Sequence, residues 1–166
     1  GDKKVAVDCY QKAYNADSTN TVVCFNLAKS TWESYQDTAK ALSIIDKLLD
    51  NDITNAEYYN LKGYICYQAG DSASADANFN LAIKNGNLAQ AYNGKGLIQM
   101  RAGNYSEAIK LFNTAISTNL NYGDAYINRG IAKETFDDYA GACEDFLRAT
   151  ELGAENANEY YTKQCK

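Results

Sequence analysis

The chain has 166 residues, 46% of them apolar, with a formal net charge of −5 and neither histidine nor proline. The negative charge argues against a nucleic-acid partner, because such binding depends on Lys and Arg side chains that neutralise phosphates. No apolar run approaches the roughly 20 residues that span a bilayer, so we expect no membrane insertion. Without histidine the chain lacks the commonest general base and metal ligand. We therefore expect a non-catalytic protein with no catalytic residue, no metal and no cofactor.

The predicted elements follow one another as helical hairpins. Residues 1–20 are predicted to hold a lone second helix of an incomplete repeat, and residues 21–55 a first complete repeat whose turn lacks glycine. Three better-formed repeats follow at residues 56–88, 89–122 and 123–156. Residues 157–166 are predicted to form a C-terminal capping helix. All six segments are expected to belong to one domain, 1–166.

Two spaced patterns support this division. A small residue, a bulky residue four later and a small or apolar residue three later recur at a nearly constant interval: Ala6/Tyr10/Ala13, Ala41/Ile45/Leu48, Ala75/Phe79/Ala82, Ala108/Phe112/Ala115 and Ala142/Phe146/Ala149. A second pattern keeps the same period out of phase: Phe25, Tyr59, Tyr92, Tyr126 and Tyr160. A period of about 34 residues built from two helical patterns is typical of helical repeat arrays. We expect nine to eleven helices and no sheet.

Gly63, Gly96 and Gly130 lie inside predicted first helices, one in each of the three better-formed repeats. Glycine inside a helix costs about 1 kcal/mol relative to alanine. Close approach of the paired helix would offset that cost. We therefore predict that the phenylalanines of the first pattern are buried between paired helices.

These residues resemble the tetratricopeptide repeat family, bacterial type. The likeness covers essentially the whole chain and is closest in AYINRG, NYSEAIKLFNTAI and DYAGACEDFLRAT. It implies an all-α fold, a right-handed superhelical solenoid of antiparallel helix pairs, whose concave face is lined by the first helices and holds extended peptides or helices. The partner implied is an unidentified protein or peptide. A cytoplasmic location and a bacterial periplasm or cell envelope are equally compatible with the sequence.

Asn26, Asn60 and Asn93 directly follow the first-helix aromatics, and Asn128 stands one place later than that register. An asparagine side chain offers a donor and an acceptor, so a row of them can hold a peptide backbone. The alternative is a set of ordinary exposed polar residues. Five further residues one or two turns beyond this row are predicted to form apolar pockets in the groove, or simply to pack between helices: Tyr64, Tyr67, Leu97, Met100 and Ile131.

Charged residues allow functional and structural interpretations. A basic row with the same period could capture an acidic ligand, or could cover the helices while pairing with neighbouring carboxylates; it comprises Lys62, Lys95, Arg129 and Lys163. The acidic pairs Asp137-Asp138 and Glu144-Asp145 are predicted to be solvated surface.

The five cysteines contain no Cys-x-x-Cys pair, and each is predicted to act as a small buried apolar residue. Cys143 and Cys165 fall on helices that face each other in this architecture. They could form a disulfide in an oxidising compartment or remain two buried thiols in a reducing one. Cys9, Cys24 and Cys66 are predicted to stay unpaired.

Two functions of different classes remain. The first is a peptide-binding scaffold that uses the concave groove. The second is a structural assembly element that stacks through its end faces, including a homo-oligomer formed through the exposed apolar stripe of residues 3–16.

Overall fold

The computed structural model describes residues 2–165, and the side-chain surroundings of residues 4–165. Gly1 and Lys166, the predicted limits of the first and last segments, lie outside the described residues. Within that range the chain forms ten helices and no strand, which confirms the predicted number and the all-α class.

The helices alternate with short loops along the chain. Their bounds are α1 Asp2–Ala16, α2 Thr21–Tyr35, α3 Thr38–Asn51, α4 Ala56–Gln68, α5 Ser72–Gly86, α6 Ala89–Arg101, α7 Tyr105–Thr118, α8 Gly123–Glu134, α9 Tyr139–Glu151 and α10 Ala157–Gln164. Every boundary predicted between segments falls in a loop between two of these helices.

The chain divides into two compact units, residues 1–86 and residues 87–166. Unit 1 contains α1 packed on α2 and the helix pairs α2–α3 and α4–α5. Unit 2 contains the pairs α6–α7 and α8–α9, with α10 packed on α9 and α8. The single domain over residues 1–166 stays a prediction.

Side chains in the loops fix where the helices begin. Asn20 and Asn55 accept hydrogen bonds from the first-turn amides of α2 and α4. Before each of them, an aspartate accepts from the amide and the hydroxyl of the threonine two residues on. These hydrogen bonds hold the pKa values of Asp17 and Asp52 below their usual range, and the bond from the threonine hydroxyl has the largest effect. Each of these two loops is thus closed by the same local turn.

The turns inside the helix pairs all contain a left-handed residue. Gly70 and Gly103 supply it in α4–α5 and α6–α7, where glycine adopts positive φ without steric cost. Gln36 and Asp137 take the same place in α2–α3 and α8–α9, at φ 54° and 57°. The turns that lack glycine in the sequence therefore also contain a residue with positive φ.

Each phenylalanine of the repeated pattern lies against a glycine of the paired helix. Phe79, Phe112 and Phe146 are fully buried, as predicted. A Cβ added to Gly63 would lie 2.7 Å from the Phe79 ring, and Gly96 is blocked in the same way by Phe112. Real Cβ atoms essentially never approach so closely. The predicted close approach of paired helices is confirmed.

The pair α2–α3 solves the same packing problem with different side chains. Ala28 replaces the glycine of the later first helices, and Ile45 replaces the phenylalanine. Both are fully buried in one cluster with Leu27, Ala41 and Ile65. Alanine is larger than the glycine of the later pairs, and isoleucine is smaller than their phenylalanine, so the two changes compensate for each other.

We expect Phe112→Ala to lower the free energy of unfolding by about 3–5 kcal/mol, because it empties a fully buried site. Phe136→Ala, the same change at a ring that is 55% exposed, is the matched control and is expected to cost less than about 0.5 kcal/mol. Chemical denaturation of both variants measures the difference. Equal costs would contradict this packing.

We also expect Gly130→Ala to destabilise unit 2 by about 1–3 kcal/mol although alanine is the better helix former, because its Cβ would lie 2.6 Å from the Phe146 ring. Phe146→Leu shortens the opposing side chain. A double-mutant cycle therefore predicts a combined cost below the sum of the single costs. Strictly additive costs would argue that the two residues do not touch.

Candidate functional site

The first helices of unit 2 carry a mixed polar and apolar stripe. Asn93, Leu97 and Met100 are four and three residues apart on α6, so they share one face of that helix. On α8, Asn128 donates a hydrogen bond from Nδ2 to Asn93 Oδ1 at 2.9 Å. Ile131 follows Asn128 three residues later. We call these five residues the first-helix surface of unit 2.

Burial differs along this surface. Asn93 is only 2% exposed, whereas Asn128 is half-buried. Leu97 and Met100 are half-buried and pack on a cluster that contains Phe112. Ile131 is half-buried against a second cluster that contains Ala149. The apolar residues thus contribute to the core and also retain exposed area, and their role as apolar pockets in a groove stays a prediction.

Unit 1 carries the matching stripe on α4. Asn60, Tyr64 and Tyr67 have the same spacing and are all half-buried. The Tyr64 ring meets the Phe79 ring edge to face, with centroids 5.0 Å apart. Asn60 Oδ1 is buried and accepts no hydrogen bond within the described part of the chain. Asn26, on α2, is half-buried as well. We call Asn26, Asn60, Tyr64 and Tyr67 the first-helix surface of unit 1.

Three members of the basic row contact carboxylates. Lys62 Nζ lies 2.6 Å from Asp46 Oδ1 on the neighbouring α3. Arg129 pairs with Asp145 on α9, and Lys163 pairs with Glu159 one turn away on α10. The hydrogen bond to Glu159 raises the pKa of Lys163. These contacts favour the structural interpretation of the row over capture of an acidic ligand.

The prediction that Asp145 is solvated surface is wrong. Asp145 is 2% exposed, and the bidentate Arg129 guanidinium and the Lys133 ammonium, at 2.9 Å, both contact its carboxylate. Arg129 also donates from Nη1 to Asn113 Oδ1. A buried carboxylate needs such partners, because desolvation of an unpaired charge is costly. The available signal was the Arg129–Lys133 spacing of one helical turn.

The cysteines differ in burial and pairing. Cys143 and Cys165 form a disulfide in the structure, with Cα atoms 5.6 Å apart, inside the range that permits a bond. Cys24 and Cys66 are buried thiols whose pKa values are raised by burial. Cys9 is exposed, so its prediction as a buried residue is wrong. It lies on α1, where the structure places no helix over that side chain.

A feature that sequence reasoning missed is a cavity of about 370 Å³ in unit 1. It lies where the end of α1, the start of α2 and the end of α3 meet. Tyr14, Ile44 and Leu48 form apolar walls, and Lys47 and Asn51 add polar groups. The cavity arises where three consecutive helices pack together, so the residue spacing within any one helix does not predict it.

Two other kinds of site are absent from residues 2–165. No group of three or more His, Cys, Asp or Glu side chains there is arranged to hold a metal ion. No helix in that range is both long and apolar enough to cross a membrane.

Comparison with known families identifies the repeats. Two family models, both described as tetratricopeptide repeat, match residues 56–85 and residues 89–122. Each match covers one of the glycine–phenylalanine helix pairs. The chain is a tetratricopeptide repeat protein. No curated protein sequence is similar enough to count as a relative.

Solved structures share the architecture. The crystal structure of MamA is 26% identical, with a TM-score of 0.68 over 95% of this chain and 92% of that chain. A thermophilic TPR protein of Thermus thermophilus is 12% identical, with a TM-score of 0.83 over 98% and 90%. YrrB, described as a TPR protein with an unusual peptide-binding site, is 17% identical, with a TM-score of 0.62 over 98% and 84%. The last two comparisons establish the fold alone.

The tetratricopeptide repeat protein is thus an all-α repeat solenoid with the general role of a protein-interaction scaffold. Its fold is typical of non-catalytic repeat proteins.

We expect Asp145→Ala to lower the free energy of unfolding of the protein by about 3 kcal/mol or more, because Arg129 and Lys133 would lose the buried carboxylate they share. Glu107→Ala is the control: it removes an exposed carboxylate that pairs with Lys110, and it should cost less than about 1 kcal/mol. Thermal and denaturant unfolding compare the two. A cost for Asp145→Ala as small as that of the control would contradict a structural role for the cluster.

Proposed function

We propose that the first-helix surfaces bind extended peptide segments of a partner protein. The observation that carries this proposal is the recurrence of one stripe, an asparagine followed four and seven residues later by half-buried apolar side chains, on α4 and again on α6. Amides can bond a peptide backbone whatever its sequence, while the apolar residues accept alternate side chains.

Asn60 supplies specific support. Its Oδ1 is a buried acceptor without a donor in the described part of the chain, and an unsatisfied buried acceptor is costly. The residue as a whole is half-buried, so part of it lies at the surface, and we propose that a rotation of its side chain presents the amide to a bound peptide. A backbone N–H of a bound peptide is a donor of the required kind.

Asn93 and Asn128 play different parts in the proposal. Asn93 is buried and already accepts from Asn128, so we assign it to orienting Asn128 rather than to direct contact. Asn128 is half-buried and would face the peptide. Its displacement by one residue from the asparagine register is compatible with this division, because the two amides bond across neighbouring first helices. Among solved proteins of this fold, YrrB is described as having an unusual peptide-binding site.

The test uses peptides selected on the protein from a displayed library of short random sequences, then measured by fluorescence anisotropy. We expect Asn60→Ala to weaken a selected peptide that binds unit 1, and Asn128→Ala to weaken one that binds unit 2, each about two- to tenfold, since a lost hydrogen bond contributes about 0.5–1.5 kcal/mol. Asn80→Ala, an exposed asparagine on α5, is the matched control and should leave affinity unchanged. Asn60→Ala alone should not lower the melting temperature, because it removes an unsatisfied acceptor.

The proposal fails if every selected peptide binds the two single variants and the parent equally, or if no peptide is retained. Loss of affinity accompanied by a matching loss of helical signal would show unfolding instead, so circular dichroism is recorded on every variant.

A second candidate function, self-association, is favoured by one observation on α1. Ala6, Tyr10 and Ala13 are only half-buried, whereas the corresponding residues of α5, α7 and α9 are almost completely buried. That stripe would be covered by a second copy in an assembly. Sedimentation velocity distinguishes the candidates: a monomer over the concentrations used for peptide binding excludes assembly as the main role.

A further inference from the structure

We propose that α10 is a redox-controlled cap: the Cys143–Cys165 disulfide holds it on unit 2, and reduction releases it and exposes the apolar surface beneath. The two Cα atoms are 5.6 Å apart, and both cysteines are half-buried. A small dithiol can therefore reach the bond without unfolding the unit.

α10 is short and buries few of its own residues. It spans eight residues, well below the roughly 12–15 at which isolated helices become even marginally stable. Ala157 is its single buried residue among those described, whereas α4, α6 and α8 bury five or six each. The exposed Lys163–Glu159 pair adds little, because surface ion pairs contribute weakly.

The start of α10 is also weakly specified. Its N-cap residue, Asn156, adopts a left-handed conformation at φ 63° and makes no side-chain capping bond. By contrast, Asn20 and Asn55 cap the starts of α2 and α4 through their side chains. Side-chain caps contribute about 1 kcal/mol each, so α10 lacks a stabilisation that those two helices have.

The disulfide acts at the opposite end of the helix. Cys165 is the C-cap residue of α10, and its N–H donates to Tyr161 O at 3.0 Å. Cys143 lies in α9, which also supplies the Phe146 ring that stacks on Tyr160 with centroids 5.3 Å apart. The bond therefore ties the last turn of α10 to α9. Without it, α10 still contacts α9 and α8, and its Ala157 and Tyr160 belong to one apolar cluster with Ile127 and Ala149 of those helices.

Opening changes what the end of unit 2 presents to solvent. One apolar cluster contains Ile127, Ala149, Ala157 and Tyr160. The fully buried Phe146 stacks on Tyr160. Departure of α10 would uncover part of that cluster and one side of the Phe146 ring. The thiol state then decides whether this surface is covered.

The chemistry balances with a dithiol reductant. Thiol–disulfide exchange breaks the Sγ–Sγ bond, and the dithiol supplies two electrons and two protons while it becomes a cyclic disulfide. Cys143 and Cys165 each end as a thiol. The thiols of Cys24 and Cys66 do not take part in this exchange, because both are buried and their pKa values are raised.

Residue-resolved amide hydrogen exchange tests the cap in the full chain, with and without dithiothreitol. We expect the amides of residues 161–165 to exchange more than tenfold faster after reduction, while those of α8 and α9 keep their rates. The double variant Cys143→Ser and Cys165→Ser should exchange these amides at the fast rate without reductant. Adding dithiothreitol should not change that rate. Cys9→Ser, at an exposed free cysteine, is the matched control and should behave as the parent.

Thiol counting in denaturant accompanies the exchange measurement and should give three thiols before reduction and five after. Five thiols before reduction, or equal exchange of residues 161–165 in both states, would overturn the proposal. Equal acceleration of α8 and α9 would also overturn it, because the bond would then stabilise the whole unit rather than the cap.

Discussion

The contact between a phenylalanine ring and the bare backbone of a glycine on the paired helix is the constraint on which the helix pairs depend. In α4–α5, α6–α7 and α8–α9 the ring occupies the volume that a first-helix side chain would need. Interiors pack at the density of organic crystals, so this volume cannot hold both groups. Once the ring and glycine are fixed, each helix has one rotational setting. That setting decides which side chains remain at the surface.

The outward side of the first helices is a consequence of this packing. With glycine turned toward the ring, residues three positions before and one position after it fall on a neighbouring face, which includes Asn60 and Tyr64 around Gly63. Those residues end up half-buried because the next helices cover only part of them. Half-buried apolar groups beside amides suit reversible binding, since they offer contact area without requiring the core to open.

Basic side chains of the first helices pair with carboxylates of the protein itself, so they are not available to a ligand. Lys62 and Arg129 of the basic row each contact a carboxylate on a second helix. This pairing of charges is most extensive in α8–α9, because Asp145 is buried and also contacts Lys133. The cluster of Arg129, Lys133 and Asp145 joins α8 and α9 through directional ion pairs and hydrogen bonds. The glycine–phenylalanine contact between the same helices depends only on complementary shape. Cations that are already paired with carboxylates offer little to an anionic ligand such as a phosphate.

The sequence by itself determined the repeat length, the helix pairs and the burial of Phe79, Phe112 and Phe146, because these follow from spacings within one repeat that recur along the chain. It also determined which residues occupy the first-helix stripes. Tertiary structure alone decided how exposed each of them is. Asn93 and Asn60 stand at equivalent positions in the sequence, yet one is buried in a hydrogen bond with Asn128 and the other holds an unsatisfied oxygen.

Asp145 shows the same limit for a charged residue. Its acidic neighbour Glu144 suggested a solvated surface, and the carboxylate proved to be buried, since its two cationic partners lie on another helix. The physical reason is common to these cases: helical period reports the direction of a side chain, whereas its burial and partners depend on helices distant in the chain.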